Sequence, residues 1–513
     1  MSMIDQAPRG IITSESRPRG LYVPAEFAER RGRVRVAIVG LGHRGPLGSY
    51  GTQPDGTKIT EAWDNAVNGV NGIQVIDHKL FPEYAKYPNI ETKLGGFARA
   101  TDEELQEELM DLGSVADLEF KSRSTILSEI AAKLTLHDAK GIMQQYQLRR
   151  GIRSLTTYRV NPELADNMAA YGGTGMGGTS DSIVEAQREL ERKALIGEKI
   201  DPVWIFRALP GASDESATME NEIHGESFGM LGECATGGHT LITAIRAIQA
   251  GDAVAALCVN SESTVKEPIG VALFDALGAL TKGTDPERFP HSSDEENDGF
   301  GFGEAGSGAL LMREDEARRR GLHIYAIVSG YKATSDGYHP SFPREDGRYQ
   351  KMAMDGALAR SGGLPHDGVM YIRQHATGTK PPGSVSADVI EARVTRAAID
   401  DALSRSDDPR SYEDVVAGAS SIKPLTGHLL GADALWGVMI GALVIEHNMM
   451  PGNHKTVRLL AEARRLNMVV NETRELRDGR RVRKVMVNSF GFGGKNTCII
   501  LEDPDLNPPP REF

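Results

Sequence analysis

Cysteine is scarce in this sequence: the 513 residues include only Cys234, Cys258 and Cys498. None has a second cysteine in a CxxC arrangement, so the spacing gives no support to a zinc site or a dithiol redox motif. Cys258 and Cys498 lie in short apolar runs that are typical of buried strands. We therefore expect a reducing, cytoplasmic setting rather than a disulfide framework.

The sequence also lacks an excess of positive charge. Its 58 Lys and Arg against 71 Asp and Glu give a formal net charge of −13, whereas general nucleic-acid binding needs a basic footprint. The arginine-rich stretch 458–484 is the best candidate for a local basic patch that an acidic protein partner would contact. The alternative for this stretch is a solvated surface hairpin without a partner.

Long apolar runs are missing as well. The most apolar stretch, 435–445, is shorter than the run of about 18 residues that a membrane span needs. The N-terminus has no apolar segment of the signal-peptide kind. We expect no membrane association.

The remaining composition, 40% hydrophobic and 25% charged, is ordinary for a globular enzyme. Alternating strand and helix patterns predict two related α/β halves, 34–320 and 321–502, each placing a reactive side chain before a Gly/Ala-rich helix. Residues 1–33 are predicted to be an arm and 503–513 a tail. A polar, helical insertion at about 80–160 is predicted to lie on the rim of the core.

One glycine motif suggests a different function. Gly40, Gly42 and Gly45 match GxGxxG after a β-branched run, which is the pattern of a dinucleotide-binding turn. Pro46 follows at once and no acidic strand end comes at the βαβ spacing. We favour a tight strand-to-helix turn, with a helix around 62–69.

Cys234 stands where a glycine-spaced turn gives way to an amphipathic helix, whose apolar face is formed by Leu241, Ala244, Ile245 and Ile248. Unpaired N–H groups at a helix N-terminus favour a thiolate. The sequence thus predicts a lowered thiol pKa and a nucleophile. The alternative is an inert, buried cysteine.

Six separated motifs occur along the chain in an order that resembles one family. They are ECATG at Cys234, DGFGFGEAGSGALLM at 298–312, TSDGYHPSFP at 334–343, QHATGT at His375, SIKPLTGHLLGA with Lys423 and His428, and NSFGFGGKNTCIIL at 488–501. Together they resemble the β-ketoacyl-acyl-carrier-protein synthases, the stand-alone (type II) condensing enzymes. The resemblance implies an α/β, thiolase-like fold with a duplicated five-layer αβαβα architecture.

The resemblance also implies roles for four side chains. Cys234 would accept an acyl group from a thioester, as suits a sulfur nucleophile. His375 and His428 would donate neutral N–H groups to the enolate that forms when a malonyl thioester loses CO2. Lys423 would fix His375 and the local field rather than act as a nucleophile.

A backbone and gating role is implied for the C-terminal loop. The N–H groups of Cys234 and Phe492 would form a second oxyanion hole, and Phe490 and Phe492 would gate the passage between the acyl pocket and the malonyl site.

The sequence departs from the family pattern in two places. Asp388 and Glu391 keep the family's relative spacing after HATGT, but about five extra residues precede them, so we expect a reshaped rim beside His375. The family's fatty-acid enzymes often carry a Glu where this chain has Gly437, and Asp433 replaces a small residue. Lys423 is therefore expected to have a different carboxylate partner, or none.

These observations predict an enzyme that extends a fatty-acid or polyketide chain by two carbons, with an acyl carrier protein as partner. It is expected to form a homodimer, or a heterodimer with a related subunit, and to need no cofactor and no metal. Two alternatives remain: a polyketide starter or acyltransferase-type enzyme of the same fold, and a non-catalytic carrier-binding partner subunit.

Overall fold

Alternating apolar strands and helices build a mixed α/β fold within the compact unit formed by residues 35–513. The computed structural model describes residues 34–114, 121–150, 153–176, 179–209, 212–380, 383–406, 408–477 and 479–507. The predicted arm at 1–33 and the end of the predicted tail lie outside the described residues.

The strands of the described chain, in order, are β1 Val36–Gly45, β2 Gly48–Thr52, β3 Lys58–Ile59, β4 Ile73–Val75, β5 Leu94–Gly96, β6 Met143–Arg150, β7 Arg153–Val160, β8 Met168–Thr174, β9 Ser227–Leu231, β10 Ala255–Glu262, β11 Phe302–Gly303, β12 Ala305–Arg313, β13 Ala326–Ser335, β14 Val369–Arg373, β15 Val416–Ser420, β16 Met449–Met450, β17 Arg474–Glu475, β18 Val482–Gly491 and β19 Lys495–Glu502.

The α-helices of the described chain are α1 Glu61–Val67, α2 Asp102–Asp111, α3 Arg123–Asp138, α4 Pro162–Ala165, α5 Thr179–Leu195, α6 Val203–Ala208, α7 Ala212–Asn221, α8 Thr236–Ala250, α9 Pro268–Ala276, α10 Glu314–Arg319, α11 Arg348–Arg360, α12 Ala387–Arg405, α13 Tyr412–Val415, α14 Lys423–Thr426 and α15 Asp433–His447. Short 3₁₀ turns also occur, and three of them, Glu233–Ala235, Leu430–Ala432 and Phe492–Gly494, lie near the candidate site.

The main sheet has the strand order β15-β14-β18-β19-β13-β1-β12-β10-β8-β9, with β2 and β3 attached to β1. On each side of the β13–β1 junction the three outer strands run parallel, and the strands nearer the junction pair antiparallel. The two sides therefore repeat one pattern. The boundaries 34–320 and 321–502 stay a prediction.

Two central helices fix the layering of this fold. Helices α8 and α15 pack against each other, α8 on strands β8 and β10 and α15 on β18. Outside them, α3 and α7 pack together beside β10, and α11 packs on β13 and β19 with α12 beside it. Only two residue pairs join β13 to β1, so the strands on either side of this junction form two sheet layers. The layers run helix, sheet, helix, sheet, helix. Because both halves aim the N-terminus of a central helix inward, the turns before α8 and α15 come together.

The prediction that the helices of 80–160 line the rim is wrong for α3. Almost all of this helix is buried, including the polar Ser128, Glu129 and Lys133 at 0% exposure. Its buried polar groups have partners: Glu129 pairs with Lys121, and Lys133 donates to the carbonyls of Tyr158 and Glu220 at 3.0 and 3.2 Å. The sequence of α3 looks polar, but because its charged side chains have partners the helix can be buried in the core.

The GxGxxG motif does not form the predicted turn. Strand β1 runs straight through Gly40 and Gly42 to Gly45, and the helix expected near 62–69 is α1, which follows β2 and β3. Helix α3 lies directly on the strand: a Cβ at Gly42 would meet Ala131 O at 2.3 Å and Thr135 Oγ1 at 2.4 Å. Close packing of strand β1 against helix α3 therefore explains Gly42, and it also explains Gly40, where a Cβ would lie 2.4 Å from Thr135 O.

The arginine-rich stretch 458–484 carries many paired cations. Arg458 and Arg464 both contact Glu295, Arg483 contacts Asp503, and the buried Lys484 contacts Glu502 at 3.4 Å. These pairs favour a structural surface over a basic docking patch.

One stretch, Leu430–His447, has the length and apolar composition of a membrane span, but 89% of it is buried inside the protein, as in a core helix.

The close approach of α3 to β1 predicts that Gly42→Ala destabilises the protein by about 1–3 kcal/mol, the usual cost of overpacking a core. Thermal unfolding followed by circular dichroism measures this. Gly301→Ala is the matched control, because a Cβ there would meet its nearest atom only at 3.6 Å. Equal melting temperatures for the two variants would contradict the packing argument.

Candidate active site

The nucleophile candidate sits on a locked turn between β9 and α8. Cys234 lies in the 3₁₀ turn Glu233–Ala235 and is 6% exposed. The hydroxyl of Thr236 accepts from Gly232 N at 2.9 Å and donates to Glu233 O at 2.7 Å. These bonds hold the thiol immediately before the first turn of α8, as the sequence predicted.

The two histidines follow strand β14 and the short helix α14. The backbone N–H groups of His375 and Ala376 each donate to the carboxylate of Glu391 at 2.8 Å. His428 is fixed by its own N–H, which donates to Gly301 O at 2.8 Å. These hydrogen bonds fix the backbone that carries each ring.

Sulfur and imidazoles converge across the two halves. The Sγ of Cys234 and one ring nitrogen each of His375 and His428 lie within 4.8 Å of one another. The two rings meet edge to face, with centroids 5.2 Å apart. Both ring nitrogens of His428 are buried and have no hydrogen-bond partner in the described part of the chain. An unpartnered buried imidazole is costly and here faces the sulfur.

Lys423 has the carboxylate partner that the sequence left unspecified. Its ammonium group donates to Asp433 Oδ2 at 2.8 Å and to the carbonyl oxygen of His375, and lies 3.5 Å from His375 Nδ1. All three side chains are buried. Because a protonated lysine can only donate, this contact favours Nδ1 as the acceptor and leaves Nε2 to carry the ring N–H.

Asp433 has a second cation as a partner. Arg373 at the end of β14 is fully buried, and its guanidinium donates to Oδ1 at 2.8 Å and to Oδ2 at 3.0 Å. A Cβ at Gly437 would lie 2.9 Å from Arg373 Nε. Related fatty-acid enzymes often have a Glu at this position. Here it is a glycine, because the side chain of Arg373 occupies the space.

The rim residues Asp388 and Glu391 keep their place despite the extra residues before them. Asp388 accepts from Ser293 N at 2.7 Å and from Gly378 N at 3.0 Å, while Glu391 holds the turn at His375. Both carboxylates are buried. Their helix, α12, thus anchors the loop that carries His375.

Aromatic side chains line the cavity in front of the sulfur. The cavity measures about 70 Å³ and is bordered by Cys234, both histidines and five phenylalanines: Phe274, Phe300, Phe342, Phe490 and Phe492. Phe492 stacks on Phe274 with centroids 5.6 Å apart, and Phe490 meets His375 edge to face at 5.8 Å. Gly491 between them packs on the nucleophile turn, since a Cβ there would lie 3.3 Å from Cys234 N. An aromatic pocket of this kind suits an apolar ligand.

The electrostatics of the site keep both imidazoles neutral. Burial, together with the Lys423 charge, lowers the pKa of His375 to about 3, and the same two causes hold the pKa of His428 well below its usual range. Burial also lowers the pKa of Lys423 to about 8, against the attraction of Asp433. Burial disfavours ionised Asp433, but Arg373 and Lys423 outweigh it and keep its pKa well below normal.

The predicted lowering of the thiol pKa is wrong. Burial raises the pKa of Cys234 to about 12, and Lys423 only partly opposes this. The sequence argument weighed the helix N-terminus but had no means to weigh desolvation. The resting site therefore holds a thiol, not a thiolate.

The same three atoms have the chemistry of a zinc ligand set, since thiolate and imidazole are the usual ligands of that ion. A thiol and two imidazoles are also the groups that acyl transfer needs. Activity should therefore be measured both with and without a metal chelator.

Sequence reasoning missed Arg373 and the aromatic lining residues Phe274 and Phe300. For Arg373 a signal existed: it is a single charge inside the apolar run VMYIRQH, and a buried arginine requires a carboxylate partner. The phenylalanines gave no comparable signal, because a cavity-lining and a core phenylalanine look alike in sequence.

Comparisons with known proteins agree with this geometry. Residues 33–317 match "Beta-ketoacyl synthase, N-terminal domain" and residues 325–456 match "Beta-ketoacyl synthase, C-terminal domain". The "3-oxoacyl-[acyl-carrier-protein] synthase 2" of Staphylococcus aureus is 27% identical over 91% of this chain and 98% of its own length. The mitochondrial 3-oxoacyl-[acyl-carrier-protein] synthase of Arabidopsis thaliana is 29% identical over 91% of this chain and 93% of its own.

Solved structures share the fold. The ishigamide ketosynthase/chain length factor superposes with a TM-score of 0.71 at 22% identity, covering 92% of this chain and 99% of its own. A ketosynthase in complex with its type II acyl-carrier protein gives a TM-score of 0.68 at 21% identity, covering 91% and 99%.

The fold and the relatives together identify the class of protein: a thiolase-like, acyl-transferring condensing enzyme. The chain belongs to the β-ketoacyl synthase family. The predicted fold class, enzyme class and family resemblance are thereby confirmed.

The raised thiol pKa predicts slow alkylation of the resting enzyme. With a pKa of about 12, the thiolate fraction at pH 8 is about one part in ten thousand. We expect iodoacetamide to label Cys234 at least about tenfold more slowly than free cysteine, with a rate still rising at pH 10. Peptide mass spectrometry against pH measures this, and Cys258 and Cys498, both 0% exposed, are internal controls. A labelling rate that levels off below pH 8 would show that the thiol pKa is lowered, as the position at a helix N-terminus predicts.

Proposed function

We propose that this protein is a β-ketoacyl-acyl-carrier-protein synthase that extends a fatty-acid or polyketide chain by two carbons with loss of CO2. One observation carries the proposal: a buried thiol and two neutral imidazoles meet within 4.8 Å inside an aromatic cavity. Each step below follows from these groups.

Acyl transfer comes first. Cys234 sulfur attacks the carbonyl of an acyl thioester, the Sγ proton passes to the leaving carrier sulfur, and an acyl-Cys234 thioester results. Because the resting thiol is protonated, deprotonation has to accompany attack rather than precede it. The backbone N–H groups of Cys234 and Phe492 are assigned to the tetrahedral oxygen. The closeness of the two segments supports this assignment, since a Cβ added at Gly491, the residue before Phe492, would lie 3.3 Å from Cys234 N.

Decarboxylation follows in the space that the two rings border. When the malonyl carboxylate leaves as CO2, its electron pair forms an enolate, whose oxygen needs donors. His375 and His428 can donate through N–H because both are neutral, and a neutral ring does not protonate the enolate carbon. Lys423 assists by keeping Nδ1 of His375 an acceptor.

Condensation closes the cycle. The enolate carbon attacks the acyl-Cys234 carbonyl, the C–S bond breaks, and the β-ketoacyl thioester leaves on the carrier. The released thiolate takes one proton from solvent, which balances the carboxylate charge lost with CO2. Phe490 and Phe492 are assigned to the gate, since Phe490 contacts His375 and Phe492 contacts the aromatic pocket.

The acyl carrier protein is the proposed partner, in line with the relative solved in complex with one. The three buried, unpaired cysteines support a reducing, cytoplasmic setting. A second, related subunit remains the alternative to self-pairing, because one structural relative is titled a ketosynthase/chain length factor. The alternative of a non-catalytic partner is disfavoured by the presence of Cys234 beside both histidines.

Two variants separate the proposed steps. Cys234→Ala is expected to abolish acyl labelling of the protein, and His428→Ala to spare labelling but lower CO2 release from a malonyl carrier by at least about a hundredfold, the range for lost oxyanion donors. Mass spectrometry and ¹⁴CO2 trapping read the two steps, in EDTA to exclude a bound metal. Cys258→Ala is the matched control, because Cys258 is buried and does not line the cavity.

Label on the Cys234→Ala protein would contradict the nucleophile assignment. Undiminished CO2 release from His428→Ala would contradict the role of His428 in decarboxylation. Acyl labelling of the wild type without any CO2 release would instead favour an acyltransferase that does not decarboxylate malonyl groups.

Self-association is proposed at strand β9, the end strand of the described sheet. Its Phe228 and Leu231 are 42% and 53% exposed, and Met219 on the neighbouring α7 is 72% exposed. Exposed apolar edge strands pair readily, and pairing with the same strand of a second copy gives a closed two-fold interface.

We expect Leu231→Lys to halve the particle mass from twice 55.5 kDa toward 55.5 kDa, because a buried lysine at the contact lacks a partner. Light scattering after size exclusion measures it. Val457→Lys, 59% exposed in the other half, is the control. An unchanged dimer in the Leu231 variant, or a monomeric wild type, would overturn this interface.

A further inference from the structure

We propose that Arg373 is a positioning residue of the condensing reaction: by occupying both oxygens of Asp433, it keeps that carboxylate from capturing His375 Nδ1–H and so holds His375 in the tautomer that donates from Nε2. The proposal rests on the function proposed above and deepens it for a residue outside the nucleophile and histidine set.

The geometry shows an acceptor shared between donors. Asp433 Oδ1 receives Arg373 Nη2 at 2.8 Å, and Oδ2 receives both Arg373 Nη1 at 3.0 Å and Lys423 Nζ at 2.8 Å. His375 Nδ1 lies 3.7 Å from the same Oδ2. Without the guanidinium, Oδ1 would lose this donor and Oδ2, the oxygen nearest the ring, would keep Lys423 as its donor. The carboxylate would then be free to turn an oxygen toward His375 Nδ1.

A free oxygen would change which nitrogen carries the proton. A carboxylate beside an imidazole draws the ring N–H toward itself, as second-shell carboxylates do at other histidines. His375 would then present a bare Nε2 to the cavity. That nitrogen repels rather than stabilises an enolate oxygen, so decarboxylation suffers while acyl transfer to Cys234 is spared.

The space around Arg373 supports a fitted residue. Its side chain is 0% exposed, and Gly437 leaves the room for it on helix α15. A side chain at 437 would push the guanidinium off Asp433. Arg373, Asp433 and Gly437 therefore form one unit, joining β14 to α15 behind the histidine.

The charge of the unit gives a signature that a merely structural role would not. The titratable and charged groups that face Lys423 are Arg373, His375, Asp388, Glu391, His428, Asp433 and Cys234. Arg373 lowers the pKa of Lys423 and Asp433 raises it. The alkaline limb of the pH–rate profile is the pH range in which activity falls as Lys423 loses its proton. Removing the arginine should therefore move this limb to higher pH, and neutralising the aspartate should move it to lower pH.

The test is a charge series of Arg373→Met, Asp433→Asn and the double variant, with Arg373→Lys as the conservative change. We expect the alkaline limb to shift by about one pH unit. It should lie below the wild-type position in Asp433→Asn, near it in the double variant, and above it in Arg373→Met. CO2 release by Arg373→Met should fall at least about tenfold in kcat with acyl labelling of Cys234 unchanged, and Arg373→Lys should recover part of it.

Arg123→Met is the control for loss of a buried arginine, because Arg123 is 2% exposed and pairs with Glu304 away from the cavity. It should lower the melting temperature without moving the limb. If Arg373→Met does not fold, Gly437→Ala displaces the same guanidinium and should reproduce its loss of kcat.

Limbs that coincide across the series, or equal losses in labelling and CO2 release, would overturn the Arg373 assignment alone. Acyl labelling that survives in Cys234→Ala would instead overturn the function on which it rests.

Discussion

The buried ion group behind His375 is the constraint on which the site depends. Lys423 and Arg373 share the carboxylate of Asp433, all at 1% exposure or less. Burying charges is expensive, and removing one partner from such a group commonly costs about 3–5 kcal/mol. This buried ion group joins strand β14, helix α14 and helix α15 behind the imidazole of His375. The Lys423 charge lies on the Nδ1 side of that ring.

The fold delivers the remaining parts to the same place. Two central helices begin side by side, so the turn before α8 brings Cys234 and the turn before α15 brings His428 to one cavity. Glu262, fully buried, accepts from Gly175 N and Gly431 N and thereby ties the end of β10 to the end of β8 and to the turn before α15. Phenylalanines close the front and exclude water, which strengthens every charge interaction inside. The same burial raises the pKa of the Cys234 thiol, so the enclosure that would help the proposed enolate would also hinder the proposed nucleophile.

Motif order predicted the placement of Cys234, His375, His428 and Lys423 together, and strand patterns located β10, β12, β13 and β14. Local patterns failed where long-range packing decides. The sequence around Gly42 suggests a phosphate-binding turn, but the structure shows helix α3 packed on this glycine. The polar sequence of α3 suggests a rim helix, but its charged residues are buried and have partners. Arg373 and its aspartate lie 60 residues apart, so no window of sequence connects them. The desolvation that governs the Cys234 thiol depends on the whole enclosure, which spacing does not reveal. The boundaries of the halves and the roles of Phe490 and Phe492 stay predictions.

The central claim is that two uncharged imidazoles face the sulfur. The ¹⁵N chemical shifts of selectively labelled histidines, followed from pH 5 to pH 9 with His375→Gln and His428→Gln to assign them, test it most directly. The account predicts that both rings stay neutral over this range and that His375 carries its proton on Nε2. A ring that takes up a proton near the unperturbed value of about 6.5 would place a cation at the enolate site and contradict it.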